Sequence, residues 1–437
     1  SYMPQPDGSR LEIFGSGGGE IVSASLSETL GYEVPLLAQL PLDIRLREGS
    51  DTGCPAVVAD DGKPAANAPA ALELSAVAQR LDAERGRLAR MVSEEVGRCL
   101  TECRAELDKS VELIRYYARL APELLAHKTI ATQASLSQVR FEPLGVVLAV
   151  MPWNYPVWQV LRFAVPALCA GNACAVKPAP SVARVSVALL ELVSDDLPLI
   201  GAWLDNDDTL KAIEDTDAMA FTGSTRTGRL LAAHAGMHLK KTVLELGGSN
   251  PFIVMPDADL ERAAVEACYS RFRDAGQSCN AAKRIVVTEA VADRFIPLFL
   301  AECAKLQTGD PKDPATTLAP LHREDLRANV HAQVQDAVAN GAEVLTGGFI
   351  PEGKGWFYPA TVLDKVNPNC RVWNEEVFGP VAMILRAKDE EHAVALANDT
   401  PYGLGASIYT ADTCRAWAFA EKIQAGSVFI NRHTSSD

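Results

Sequence analysis

Residues 146–156 read Val-Val-Leu-Ala-Val-Met-Pro-Trp-Asn-Tyr-Pro. A short β-branched run that meets two prolines and two aromatics predicts a strand ending in a rigid, non-helical turn. Similar short runs recur at 173–176, 219–222, 242–246, 285–288, 381–385 and 428–430, with helical stretches between them. That alternation predicts βαβ units and parallel sheets, an α/β fold. Upstream, Leu72, Leu74, Val77, Leu81, Leu88, Val92, Val96 and Leu100 recur at helical spacing. They predict two or more amphipathic helices between residues 66 and 126. Residues 1–66 are rich in Gly and Pro. There the run Gly-Ser-Gly-Gly-Gly at 15–19 opens a helical pattern over 20–30, and a strand-like stretch follows at 32–40. The run lacks the Lys-Ser/Thr of a P-loop and reads as a flexible turn.

The chain has 437 residues, enough for two or three domains. Its 41 Lys and Arg against 56 Asp and Glu give a net charge of −15. That balance argues against nucleic acid and anionic membrane surfaces as partners. No apolar run reaches the ~18 residues of a membrane span. Residues 1–10 lack a basic stretch followed by an apolar core, so a cytoplasmic protein is expected. The ten cysteines are scattered and far too sparse for a disulfide scaffold. No Cys or His cluster has zinc spacing, and the seven histidines are spread out, so no metal is expected.

Three residues stand out chemically. Cys279 sits in Asp-Ala-Gly-Gln-Ser-Cys-Asn-Ala (274–281), at a turn or helix start where backbone N–H groups and a helix dipole favour a thiolate. It reads either as a nucleophile or as a small structural residue. Glu245 lies between two leucines at the end of an apolar strand. Desolvation there would suit it to general-base work, whereas on an edge strand its face would be solvated. Asn154, held in its rigid turn, either donates to a developing oxyanion or closes an Asx turn. Residues 221–228, Phe-Thr-Gly-Ser-Thr-Arg-Thr-Gly, follow a strand and open a helix whose N-terminus could take a phosphate.

Taken together, 147–156, Val176-Lys177-Pro178-Ala179, Phe221-Thr-Gly-Ser224, Leu244-Glu-Leu-Gly-Gly248, Gly276-Gln-Ser-Cys279 and Glu375-Glu-Val-Phe-Gly-Pro380 resemble the NAD(P)-dependent aldehyde dehydrogenases, in that family's order. The resemblance runs from about residue 89 to 437. It implies a Rossmann-type parallel-sheet cofactor domain (89–246), an α/β catalytic domain (247–426) and a return toward the cofactor domain over 427–437. It further implies Cys279 as nucleophile, Glu245 as general base, and Asn154 with the Cys279 N–H as the oxyanion hole. NAD or NADP would lie against Trp153, Lys177, Pro180, Ser224, Gly247, Glu376 and Phe378. Pro180 stands where NAD-preferring relatives often carry Glu, so tolerance of NADP is expected. Arg162 and Arg273 match the carboxylate-binding arginines of the succinate-semialdehyde type, which implies a carboxylate-bearing aldehyde as substrate. Homo-oligomers are usual in the family.

Residues 1–88 depart from the family pattern. Leu36 to Asp43 and Arg47 to Asp51, after Glu12 to Gly15, resemble the C-terminal part of Mrp-type P-loop ATPases, with a junction expected near 85–91. The match also stops short of the glycine-rich stretch and final strand that follow in relatives. A second reading rests on those departures: a fused, truncated and catalytically impaired dehydrogenase that acts only as a cofactor-binding or interaction module.

Overall fold

The computed structural model describes residues 2–4, 10–12, 69–193 and 197–436. The glycine run, the readings over 20–40 and the Mrp-like stretches at 36–43 and 47–51 lie outside the described residues. Strands β1 (Tyr2–Pro4) and β2 (Arg10–Glu12) pair antiparallel.

The helical spacing upstream folds as α1 (Pro69–Val96) and α2 (Leu100–Leu124). Gly97, at φ +91°, makes the break between them in the left-handed region that glycine adopts without steric cost. Helix α1 runs unbroken through 85–91, and Leu74, Val77, Leu81 and Leu88 all join one core with Val160, Leu161 and Val185. The expected division at 88/89 therefore coincides with no break in the structure. A short antiparallel ribbon follows, β3 (Lys128–Thr129) with β4 (Gln138–Val139).

The first sheet alternates strands and helices. They are β5 (Val146–Val150), α3 (Trp158–Cys169), β6 (Ala173–Lys177), α4 (Ala183–Leu190), β7 (Leu199–Gly201), α5 (Asn206–Asp215), β8 (Ala218–Thr222), α6 (Thr225–Met237) and β9 (Lys241–Glu245). All five strands are parallel, in the order β7-β6-β5-β8-β9. The winding direction reverses between β5 and β8. In such sheets the crevice beyond the carboxyl ends at that reversal is where a dinucleotide binds.

The second sheet contains β10 (Asn250–Val254), α7 (Leu260–Phe272), β11 (Ala282–Thr288), α8 (Glu289–Cys303), α9 (Glu324–Ala339), β12 (Glu343–Thr346), β13 (Thr361–Asp364), α10 (Arg371–Asn374), β14 (Val381–Ala387), α11 (Glu390–Asn398), β15 (Gly405–Tyr409), α12 (Thr413–Ala420) and β16 (Ser427–Ile430). Its order is β12-β13-β14-β11-β10-β15-β16, parallel except for β12. Every residue of β10 and β11 is buried, as expected for parallel strands covered on both faces. Strand β16 extends this second sheet, so the chain turns back toward the first unit only after it, where Lys109 Nζ on α2 donates to the Ser436 carbonyl (2.8 Å). Among the described residues no helix is long and apolar enough to cross a membrane.

Candidate functional site

Four connections carry the candidate residues. They are 151–157 after β5, 246–249 crossing from the first sheet to the second, 273–281 between α7 and β11, and 375–380 before β14. The third is the most constrained. Asp274 (φ 54°), Ala275 (φ 53°) and Gly276 (φ 71°) are all left-handed. Two non-glycine residues in that region cost conformational energy, and the surroundings must hold them there. The side chain of Asp274 accepts from Arg98 Nε and from the Tyr155 hydroxyl (both 2.5 Å), while its N–H donates to Glu102 Oε1 (2.6 Å). A Cβ on Gly276 would collide with the Arg271 guanidinium and the Gly379 carbonyl, so only glycine fits. Arg271, fully buried, donates to the carbonyls of Gly276 and Gly379 and so ties this loop to the 375–380 loop.

Cys279 sits at the turn where this loop enters β11. No helix begins there, which corrects the expected dipole assistance: the next element is a strand. Burial pushes the Cys279 thiol up, and the charge of Lys283 opposes that shift. Lys283 is fully buried, and its ammonium donates to the carbonyls of Ser278 (2.9 Å) and Cys279 (3.0 Å) and lies 3.3 Å from Glu376 Oε1. The sign is simple. A thiol titrating above its ordinary value gains thiolate as pH rises past neutrality, so a rate that needs the thiolate climbs with pH. Lys283→Met removes the opposing cation and should move that limb of the kcat/KM profile to higher pH. A limb at the same pH in both proteins would show that the ammonium does not act on the thiol.

Asn154 is buried and its side-chain amide donates to the Gln277 carbonyl (3.1 Å). The contact anchors it two residues from Cys279, and a primary amide carries a second donor for an oxygen there. Glu245 ends β9, an edge strand, and its carboxylate is 39% exposed. Of the two readings of Glu245 the solvated edge strand holds, because among the described residues the sheet ends at β9. The carboxylate's partner is Arg162, whose Nη2 donates to Glu245 Oε1 at 3.2 Å. The predicted substrate-binding arginine and the predicted base are thus in contact. Arg273 lies elsewhere, with its guanidinium 5.5 Å above the Tyr269 ring and its Nε 4.0 Å from Asp274 Oδ2. Burial leaves that Nε with no hydrogen-bond partner among the described residues.

The positions expected to hold a dinucleotide cluster at the carboxyl ends of the first sheet. Lys177 ends β6, and burial draws its ammonium below the ordinary value. Pro180 is exposed and starts a single 3₁₀ turn at Pro180–Val182. Ser224 is exposed and caps α6, accepting from the Thr227 N–H (3.3 Å), at the mouth of the crevice beside β8. Gly228, one turn on, lets α6 close onto Leu246, where a Cβ would collide. Trp153 stacks on His322 (4.3 Å between ring centres) and meets the Phe378 ring edge-on (5.8 Å). Glu376 accepts from the Gly248 N–H (3.1 Å), and a Cβ on Gly247 would strike its carboxylate. A helix N-terminus, a cation, an aromatic wall and a close-approach glycine at the point of reversal are the donor set that a dinucleotide requires. The residues present fit the group.

The profile of the aldehyde dehydrogenase family matches residues 70–437. The chain belongs to the aldehyde dehydrogenase family. Among its relatives is the succinate semialdehyde dehydrogenase [NAD(P)+] Sad of Escherichia coli K12, 42% identical over 371 residues, covering 84% of this chain and 80% of that protein. The succinate-semialdehyde dehydrogenase [NADP(+)] of Mycobacterium avium is 42% identical over 371 residues and covers 83% and 79%. A solved succinic semialdehyde dehydrogenase from Streptococcus pyogenes, in complex with NADP+, superposes with a TM-score of 0.85 at 29% identity, covering 100% of this chain and 92% of that one.

For an aldehyde dehydrogenase the expected α/β fold with two parallel-sheet units holds, and the family match starts at residue 70, inside the stretch 1–88 that was expected to be atypical. Three buried residues at this site escape sequence reasoning: Lys283, Arg271 and Arg98. Lys283 did leave a signal, since Lys283-Arg284 interrupts a strand whose every other residue is small, apolar or Thr. Charges inside a buried run need dedicated partners. Arg98 left none, because its partners Glu106, Asn154 and Asp274 are 8, 56 and 176 residues away.

Proposed function

We propose that this aldehyde dehydrogenase oxidises a carboxylate-bearing aldehyde, succinate semialdehyde in the first instance, to the acid with NAD(P) as cofactor. The observation that carries the substrate class is the Arg162–Glu245 contact, which sets a half-exposed guanidinium beside the candidate base. The named activities of the relatives from E. coli and M. avium support the same class.

The Cys279 sulfur adds to the aldehyde carbon, and the thiol proton passes to solvent or base. The aldehyde oxygen, now negative, takes the second N–H of Asn154 and the Cys279 N–H. Losing one such donor costs ~10²–10³ in rate at comparable sites. When bound, NAD(P) would supply the acceptor for the hydride that the sulfur-bound carbon loses on becoming a thioester. Lys177, Ser224, Glu376 and Phe378 would hold the cofactor, with Trp153, Gly247 and Pro180 shaping its bed. The lack of a carboxylate at Pro180 leaves nothing there to repel a 2′-phosphate, so both cofactors are accommodated. Glu245 then takes a proton from water, whose oxygen attacks the thioester and releases the acid.

The substrate carboxylate competes with Glu245 for Arg162. An exposed ion pair of this kind is worth little, about 0–1 kcal/mol, so exchange is cheap. A carboxylated substrate therefore both gains an anchor and frees the base. Arg273, expected as a second arm, instead lies over Tyr269 and beside Asp274, so Arg162 alone carries the reading of the carboxylate. A homo-oligomer is part of the same proposal, supported by Val243 and Leu239, exposed on and beside the unpaired edge of the first sheet.

Arg162→Ala tests the substrate class. A charge-assisted hydrogen bond contributes ~1.5–3 kcal/mol. The ratio of kcat/KM for succinate semialdehyde over butanal should therefore fall by roughly 10–150-fold. An unchanged ratio would show that Arg162 does not read the carboxylate.

A further inference from the structure

Away from the crevice, helix α6 ends in His-Ala-Gly-Met-His, residues 234–238. The i, i+4 spacing puts both imidazoles on one face of the last turn, and Glu214 from the end of α5 faces them. Glu214 Oε1 lies 3.0 Å from His234 Nε2 and 3.6 Å from His238 Nε2. The three ligand atoms lie within 4.8 Å of one another, and the two rings tilt together with centres 4.9 Å apart. We propose that Glu214, His234 and His238 form a site for a borderline divalent transition ion of the zinc class.

Ligand bonds of ~2.0–2.2 Å in tetrahedral geometry set ligand atoms about 3.3–3.5 Å apart. The two Oε1–Nε2 separations, 3.0 and 3.6 Å, lie on either side of that edge. Two imidazoles and a carboxylate are the donors that zinc takes when a fourth position is left to water. Hard ions such as magnesium select oxygen donors instead. The location adds to the case, because the C-terminal end of a helix carries a partial negative charge that favours a cation. His234 is largely buried and His238 half-buried, which limits the rotamer freedom lost on binding. The ion would staple α5 to α6. Ser224 opens α6 about 20 Å away at 1.5 Å per residue, so the ion has no part in the aldehyde chemistry.

The test is equilibrium dialysis of the full chain against zinc alone, with bound metal counted per chain. His234→Ala and Glu214→Gln should each hold one equivalent fewer than the unmodified protein, while dehydrogenase turnover without added zinc stays the same. Zinc held by cysteine thiols is common to all three proteins and cancels in the difference. Magnesium should show no such difference. Equal zinc counts in the unmodified protein and both variants would overturn the proposal. So would loss of the equivalent in neither His234→Ala nor a second imidazole variant, His238→Gln.

Discussion

Cys279→Ala should abolish aldehyde oxidation while leaving NAD(P) binding intact. The loss expected is roughly 10⁴-fold or more in kcat, the scale on which removal of a nucleophile acts at other acyl-transfer sites. The structure gives the reason for so complete a loss. The surrounding groups fix the backbone that carries that one sulfur: Asn154 is anchored two residues before it, Lys283 holds the carbonyls of residues 278 and 279, and Gly248 of the crossing loop and Asn250 at the start of β10 approach the Cys279 carbonyl. Of these groups only Lys283 carries a nucleophilic atom, and its ammonium is held by the two carbonyls. The binding groups are other side chains, carried by β6, α6 and the 375–380 loop, so fluorescence titration with NADPH should give similar affinities for both proteins. Activity retained within tenfold would place the nucleophile elsewhere, and loss of cofactor affinity would mean that the thiol is structural.

The second large effect lies in the interior. Arg98 is fully buried and bridges Glu106 and Asp274, with its Nη1 also donating to the Asn154 carbonyl (3.3 Å) and its guanidinium 4.2 Å from the Tyr155 ring centre. Glu106 Oε1 in turn accepts the N–H groups of Val157 and Trp158 (both 2.9 Å) at the start of α3. One cation thus neutralises two buried carboxylates, one fixing the turn that carries Asn154 and the other the left-handed loop before Cys279. Arg98→Met leaves Glu106 without its cation and Asp274 with only Arg273, whose Nε stands 4.0 Å away. Removing one partner of a buried ion pair costs about 3–5 kcal/mol, mostly as the penalty of the stranded charge. Urea unfolding should register that loss, and kcat should fall with it because two loops lose their common support. A change below about 1 kcal/mol would show that solvent or rearrangement replaces the guanidinium. Converting Glu106 to Gln in the Arg98→Met background should recover part of the loss, since one stranded charge is then gone.

Much of this was legible before any coordinates. The strand-turn reading of 146–156 fits β5 and its rigid connection, and the alternation downstream fits two parallel sheets. Cys279, Asn154 and Glu245 stand out because small, polar or charged residues in apolar surroundings are locally anomalous. What stayed hidden was pairing over long sequence distance. For Glu245 the sequence leaves a desolvated base and a solvated edge strand both open, and nothing local says that β9 lies at the edge or that Arg162 stands opposite. Arg98 looks like any helix-flanking arginine until α2, the 151–157 turn and the 273–281 loop converge on it. The reading that no histidine cluster has zinc spacing passed over His234 and His238, four residues apart, whose meaning depends on Glu214, which only the packing of α5 against α6 supplies.

The most direct measurement is the appearance of reduced nicotinamide when the full chain is mixed with succinate semialdehyde and either NADP or NAD. Sustained turnover with both cofactors, faster than with butanal, is the predicted result. Binding of either cofactor without any turnover would contradict it and leave a chain that keeps the family's fold but not its chemistry.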